Sequence, residues 1–312
     1  MKLPDAVMKY VTYKQSLGMR FATEARTLKS FCCSQAGQEL AHVTPEAIES
    51  FIAGRGPPTR FCLRKHEALR GFYRFAIAHG YADHSPLPKS APKIPDRFTP
   101  YIFSHAELKR LLEATDACFE VPRCRLDAAT YRVLLLLLYG AALRISEALS
   151  LTLADVDLNN GLLHIHESKL YRTRLVPIGN DLCTALSRHL DRRWTRGSDA
   201  HAPLFINRAG DRLTRRAADH AFSRLRTRAK VMRHDGGRFQ PRLHDLRHTS
   251  ATHRLLSWYQ DGADVQRLLP QLATYLGHVH IVGTQRYLTL TPQLLEQAGR
   301  RFERYAFGGC HD

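Results

Sequence analysis

Between Ser85 and Pro95 the chain reads Ser-Pro-Leu-Pro-Lys-Ser-Ala-Pro-Lys-Ile-Pro, four prolines in eleven residues. Each proline lacks an amide donor and fixes φ, and it pushes the residue before it out of the helical region, so this stretch continues neither a helix nor a central strand. A chain interrupted this way buries its apolar residues in two cores, and 312 residues leave room for two. The break predicts a first domain over residues 1–85, a linker over 86–100 and a second domain over 101–312.

The first domain reads as all-α. Tyr10, Tyr13, Leu17 and Phe21 recur at helical intervals, as do Leu69, Phe72, Tyr73 and Ile77, and Thr44-Pro45-Glu46 is a cap followed by proline at the first helical position. In the second domain, Ser104-His105-Ala106-Glu107 is a capping box opening a helix through Leu112, and residues 127–139 form a very apolar helix that Gly140 interrupts. Residues 162–166 and 173–178 read as the strands of a hairpin whose turn carries Lys169, with Leu204-Phe205-Ile206 a third strand. Helical spacing resumes after residue 214. The expected fold is mainly α with a small antiparallel sheet in the second, α+β domain.

Lys and Arg total 46 against 29 Asp and Glu, a formal charge of +17 that calls for a polyanionic partner. From Arg208 to Arg254 there are 13 Lys/Arg and 4 Asp/Glu, so more than half of the surplus lies in one stretch. The seven cysteines show neither CxxC spacing nor a disulfide framework, the expectation for free thiols in a reducing compartment. The longest apolar run, Val133 to Tyr139, falls far short of the ~20 residues of a membrane span, and the start has no long apolar core, so a cytoplasmic protein without membrane contact is expected.

Three segments carry chemistry. In Leu243-His244-Asp245-Leu246-Arg247-His248, helical spacing puts His244 and Arg247 on one face, where a guanidinium fork and an imidazole can reach one small anion; a solvated basic face is the alternative for such a pair alone. His244 and His248 also have the spacing of a helical metal pair, but HDLRH lacks the Glu of HExxH and no third ligand is evident, so no metal is expected. Arg144 enters a helix after a glycine break among apolar residues, and either an anion or Glu147 offsets its desolvation. Gly277 in Leu276-Gly277-His278 reads as a helix C-cap, and Tyr287 follows nine residues after His278.

The order Arg144, Lys169 in a hairpin, His244-x-x-Arg247, Leu276-Gly277-His278 and Tyr287 resembles the tyrosine recombinase (phage integrase, Xer-like) family over residues 101–290. The resemblance implies that Tyr287 attacks a DNA phosphate to leave a 3′-phosphotyrosyl enzyme. Arg144 and Arg247 would clamp the non-bridging oxygens, and His244 and His278 would donate to them, with His244 also helping to take the tyrosine proton. Lys169 would protonate the leaving 5′-oxygen, and Glu147 would orient the basic residues. It implies no cofactor, no metal and no ATP, a helical DNA core-binding domain over 1–85, and a synaptic homo-tetramer on double-stranded DNA with paired sites, with or without sister recombinases. Residues 293–305, with Leu294, Leu295, Ala298 and Phe302 on one face, read as an amphipathic helix that either packs on its own domain or, as the resemblance implies and as is favoured here, docks on a neighbouring protomer. Three positions depart from the family pattern: Ser168-Lys169-Leu170 stands where Gly-Lys-Gly is usual, Ala142 where glycine is common, and the stretch from Arg247 to His278 is longer. A type IB topoisomerase-like nicking and closing activity and a non-cleaving architectural DNA-binding protein are the alternative readings.

Overall fold

The computed structural model describes residues 1–288 apart from 57, 89, 94–98, 120–123, 169–171, 194–198, 238, 279 and 286, together with residues 296 and 299. The chain divides into two compact units, Met1–Arg97 and Phe98–Asp312.

The first unit consists of α1 (Leu3–Ser16), α2 (Ala22–Ser34), α3 (Pro45–Ala53) and α4 (Arg60–Ala78). Thr44 caps α3 by accepting from the Ala47 amide, and Thr59 caps α4 by accepting from Phe61. Leu3, Tyr10, Leu28, Phe31, Ile48, Leu69 and Phe72 close one core. The apolar stripe over Tyr10 to Phe21 is shorter than its spacing predicts. Helix α1 ends at Ser16, Gly18 takes φ +77°, Phe21 lies in the left-handed region at φ +44°, and Leu17 is exposed. Ile77 also faces solvent. Leu87 of the proline-rich stretch packs on this core, and within the second unit Arg233 donates to the carbonyl of Thr99.

The second unit is built from α5 (His105–Phe119), α6 (Ala128–Gly140), α7 (Ile145–Ser150), a three-stranded sheet, α8 (Asn180–Arg193), α9 (Arg215–Arg228), α10 (Leu243–Gln260), α11 (Val265–Leu276) and the short α12 (Val282–Gln285). Glu107 closes the expected capping box with Ser104, and α5 continues past Leu112 to Phe119 because Leu108, Leu111 and Phe119 keep one buried face. Asp127 caps α6, whose Tyr131, Leu134, Leu137 and Leu138 fill the centre of the unit. Gly140 is the last helical residue rather than a break. The turn comes at Ala142, which adopts φ +49° while almost fully buried. Glycine takes that conformation without strain, so alanine here is held in it by its surroundings.

The sheet is antiparallel in the order β1 (Val156–Asp157), β2 (Leu162–Ser168), β3 (Arg172–Pro177), with Leu163 opposite Val176 and Ile165 opposite Arg174. The hairpin is where its pattern places it, but Lys169 lies outside the described residues. Leu204-Phe205-Ile206 is not the third strand. Leu204 and Phe205 are fully buried, Phe205 stacks on His189, and Ile206 makes only an isolated bridge to Arg212 at the tight turn closed by Asn207 and Asp211. An apolar run can serve a core without joining a ladder, and the two-residue β1 takes the edge instead.

The described cysteines, Cys32, Cys33, Cys62, Cys118, Cys124 and Cys183, are free thiols. No helix among the described residues is long and apolar enough to cross a membrane. The amphipathic segment 293–305 lies outside the described residues apart from 296 and 299.

Candidate active site

Five separate segments of the second unit meet at one place. Arg144 is the N-cap of α7, and Glu147 sits at the third helical position, where it reaches back to accept from the Arg144 amide at 2.9 Å and from Arg144 Nη1 at 2.6 Å. Helix α10 supplies His244, Arg247 and His248. The C-terminal end of α11 presents the carbonyls of Tyr275, Leu276 and Gly277, and the chain then turns through His278 and α12 to Tyr287.

Arg247 is the largest side chain with almost no exposure. Its Nη1 donates to the Ala142 carbonyl at 2.5 Å and its Nη2 donates to the Leu276 carbonyl, so the guanidinium ties the α6–α7 turn to the end of α11. Arg144 Nη2 makes a parallel link, donating to the Gly277 carbonyl at 2.8 Å. A guanidinium has five N–H donors, so each arginine keeps capacity for an anion after these contacts.

Between Arg247 and His278 the chain completes α10 and forms α11. Asp264 caps it by accepting from Arg267, and the amphipathic Val265, Leu269, Leu272 and Leu276 bury against Ala251, Leu255 and Tyr287. Helix α11 ends because Gly277 is left-handed at φ +64°, and a Cβ there would come within 2.8 Å of the Arg174 guanidinium. Its terminal carbonyls carry the negative end of the helix dipole, which favours cations at that spot.

Arg174 was not singled out by sequence, and it completes the cluster. Its Nη1 and Nη2 donate to the two oxygens of Glu147, both at 3.0 Å, and its Nε donates to the Tyr275 carbonyl at 3.3 Å. The signal for it was the strand period. Cross-strand partners share a face, so a residue opposite the buried Ile165 and two before the buried Val176 must point inward, while Thr173 and Leu175 point out.

Three guanidiniums thus surround one carboxylate, with Arg247 Nη1 at 3.8 Å from Glu147 Oε2. Burial alone would raise the Glu147 carboxyl, but the hydrogen bonds and charge of Arg174, then Arg144, hold it down at about 2. Burial and the Arg144 charge push Arg247 down to about 10, so it stays cationic at neutral pH. Burial, followed by the Arg247 charge, pushes both His244 and His278 down to about 4 and keeps them neutral N–H donors. The cluster therefore holds a surplus of positive charge in a partly buried setting, and a phosphate diester is an anion of the size and sign to offset part of it.

Tyr287 is packed among Leu255, Leu272 and Leu276, and only 3% of its surface is exposed. The segment from His278 to Tyr287 is not one helix, because α12 spans only four residues. His278 Nδ1 shares a hydrogen bond of 2.7 Å with Thr284 Oγ1, and its ring lies parallel to that of Tyr287 with centroids 6.2 Å apart. The Tyr287 hydroxyl is 3.2 Å from Nδ1 of His248, a second residue whose contact the sequence did not foretell. His248 meets His244 edge-on, with centroids 4.7 Å apart, rather than converging with it on a shared point.

Of the residues singled out by sequence, Arg144, Glu147, Arg247, His278 and Tyr287 are joined by these contacts. His244 is tied to them through His248 and the field of Arg247, and Lys169 lies outside the described residues.

The model of the phage integrase family matches residues 102–293. The chain is 36% identical over 308 residues to the protein y4rB of Sinorhizobium fredii, covering 96% of each chain. It is 31% identical over 300 residues to the tyrosine recombinase XerC of Bacillus subtilis, covering 93% of this chain and 85% of that one. Among solved structures, the Tn1549 transposon integrase in complex with transposon right end DNA aligns with a TM-score of 0.70 at 16% identity, over 98% of this chain and 100% of that one. A lambda integrase dimer bound to a core site aligns with a TM-score of 0.65 at 17% identity, over 90% of this chain and 96% of that one. Since the family match spans well over half of the chain and the similarity to these recombinases runs nearly its full length, the chain belongs to the phage integrase family of tyrosine recombinases and is a site-specific DNA recombinase.

Proposed function

We propose that the chain cleaves and rejoins DNA through a 3′-phosphotyrosyl intermediate formed on Tyr287, without metal or ATP, and acts as a synaptic tetramer on paired sites for integration, excision or resolution. The observation that carries this reading is the convergence of Arg144, Glu147, Arg247, His278 and Tyr287 from segments up to 143 residues apart, Arg144 to Tyr287, on one buried, positively charged spot.

In this reading Arg144 and Arg247 share the non-bridging oxygens of the scissile phosphate, on which charge builds in the transition state. Neutral His244 and His278 donate N–H bonds to the same oxygens, and Lys169 protonates the departing 5′-oxygen. Glu147 and Arg174 hold the arginines in place. Tyr287 is buried, so binding DNA has to open the 278–288 segment enough to admit the phosphate. The Tyr287 ester keeps the phosphodiester linkage at the same oxidation and charge level, and a 5′-hydroxyl can reverse the step without an energy source. The first unit is the core-binding domain that holds the duplex, and segment 293–305 docks on the next protomer.

A library of duplexes nicked beside the scissile position tests the reading, because the short 5′ fragment diffuses away and traps the covalent adduct. Wild-type protein should yield DNA–protein adducts stable to denaturation, and Tyr287→Phe should yield none while still binding DNA. Adducts that survive in Tyr287→Phe would refute the nucleophile. Recombination of two captured sites on one plasmid separates strand exchange from simple nicking and closing.

A further inference from the structure

We infer that His248 is a catalytic residue of this chain, the group that accepts the Tyr287 phenol proton as the tyrosine attacks phosphorus. The inference rests on the assignment of Tyr287 as nucleophile and goes beyond it, since the proton acceptor suggested by the motif was His244.

The geometry separates the two histidines. They sit four residues apart on α10, one turn from each other on the same face. His248 Nδ1 lies 3.2 Å from the Tyr287 hydroxyl, within the reach a general base needs, and the two rings are tilted at 57° with centroids 5.5 Å apart. His244 touches the edge of His248, and burial plus the charges of Arg247, Arg242, Arg144 and Arg215 keep it neutral, suited to donating toward a phosphate. His278 runs nearly parallel to the Tyr287 ring with centroids 6.2 Å apart and shares its Nδ1 hydrogen bond with Thr284, so that nitrogen is engaged away from the phenol. With His248 in the Nε2–H tautomer, the phenol O–H donates to Nδ1, which is the direction proton transfer requires.

The charged and titratable groups around the pair are His244 and Arg247 on α10, His278 across the ring, and Glu147 with Arg144 and Arg174 behind Arg247. A tyrosinate forming here is attracted by Arg247, and this offsets part of the gap between a phenol near ~10 and an imidazole near ~6.5. The remainder is met by coupling the transfer to attack. The proton passes from Tyr287 Oη to His248 Nδ1 as the Oη–P bond forms and the P–O5′ bond breaks, and the 5′-oxygen takes a proton from Lys169. The diester keeps its single negative charge, His248 becomes cationic and Lys169 neutral. Rejoining runs the same transfers backward.

The test is single-turnover cleavage, from pH 5 to 9, of a captured nicked duplex carrying a bridging 5′-sulfur at the scissile position. Sulfur leaves without a general acid, so pH dependence from Lys169 drops out. An acid limb in the histidine range, roughly pH 5–8, is assigned to the base by its loss in His248→Asn and its retention in His244→Gln. Wild-type protein should show that limb. His248→Asn places an amide atom near the Nδ1 position but cannot take a proton; it should bind DNA normally, cleave on the order of 100-fold slower and lose the limb. His248→Ala should regain rate when imidazole is added, and His248→Gln replaces Asn should Asn disturb packing. A His248→Asn protein that folds and cleaves within a few-fold of wild type with its acid limb intact overturns the inference and leaves Tyr287 as nucleophile standing. Adducts in Tyr287→Phe overturn the underlying assignment instead.

Discussion

Replacing Glu147 with glutamine isolates the charge balance of the DNA-free site. The carboxylate accepts four hydrogen bonds within 3.0 Å, two from Arg144 and two from Arg174, and Arg247 lies 3.8 Å away. Glutamine keeps the shape but supplies one neutral acceptor and turns an NH₂ group toward the guanidiniums. Three cations, of which Arg247 is the most deeply buried, then share no counter-charge. Breaking a buried pair in this way costs about 3–5 kcal/mol, most of it the penalty of the stranded charges. At roughly 2–4 °C per kcal/mol for a unit of this size, the melting transition of the second unit should fall by about 6–20 °C. Inorganic phosphate, titrated at constant ionic strength, should raise the melting temperature of Glu147→Gln more than that of wild type, because the anion then enters a site with a larger unbalanced charge. Differential scanning calorimetry of the full chain reads both quantities. A Glu147→Gln protein that melts with wild type, or gains no more from phosphate than wild type does, would refute the claim that this carboxylate balances the three arginines.

Other outcomes follow from the same geometry. Arg174→Lys exchanges a two-pronged grip on Glu147 for a point charge; cleavage in the nicked-duplex assay should slow by about tenfold or more while DNA affinity changes little. Equal loss of both would contradict a positioning role. Gly277→Ala forces a left-handed backbone at φ +64° and a Cβ within 2.8 Å of Arg174, so stability should fall by roughly 1–3 kcal/mol in denaturant titration, and an unchanged midpoint would contradict the packing described. His244, His253 and His278 all have folded-state values of about 4, lowered first by burial. The unfolded chain therefore binds more protons between pH 6.5 and 4, and stability should decline as the pH falls through that window, by at most ~1.4 kcal/mol per pH unit for each histidine and less where solvent reaches the ring. A flat melting profile over that range would argue against three neutral, half-buried imidazoles.

Much of this protein could be read from its residues in order. The proline run divides the chain, because the cost of proline in a helix or ladder is local and independent of context. Thr44 and the Ser104–Glu107 box mark helix starts for the same reason, since a cap satisfies amides within three residues. Arg144, His244, Arg247, His278 and Tyr287 were visible as a spaced set. What only the tertiary structure decided is how the set is held and where its second ring of contacts lies. Arg174 looks like one more basic residue in an alternating strand until pairing with β2 turns it inward onto Glu147. His248 looks like half of an unfinished metal pair until the turn after α11 brings Tyr287 to its Nδ1. Leu204 and Phe205 have the composition of a strand, and long-range packing made them core without a ladder. In each case the deciding energy comes from burial and hydrogen bonds between residues tens to over a hundred positions apart, which no local pattern encodes.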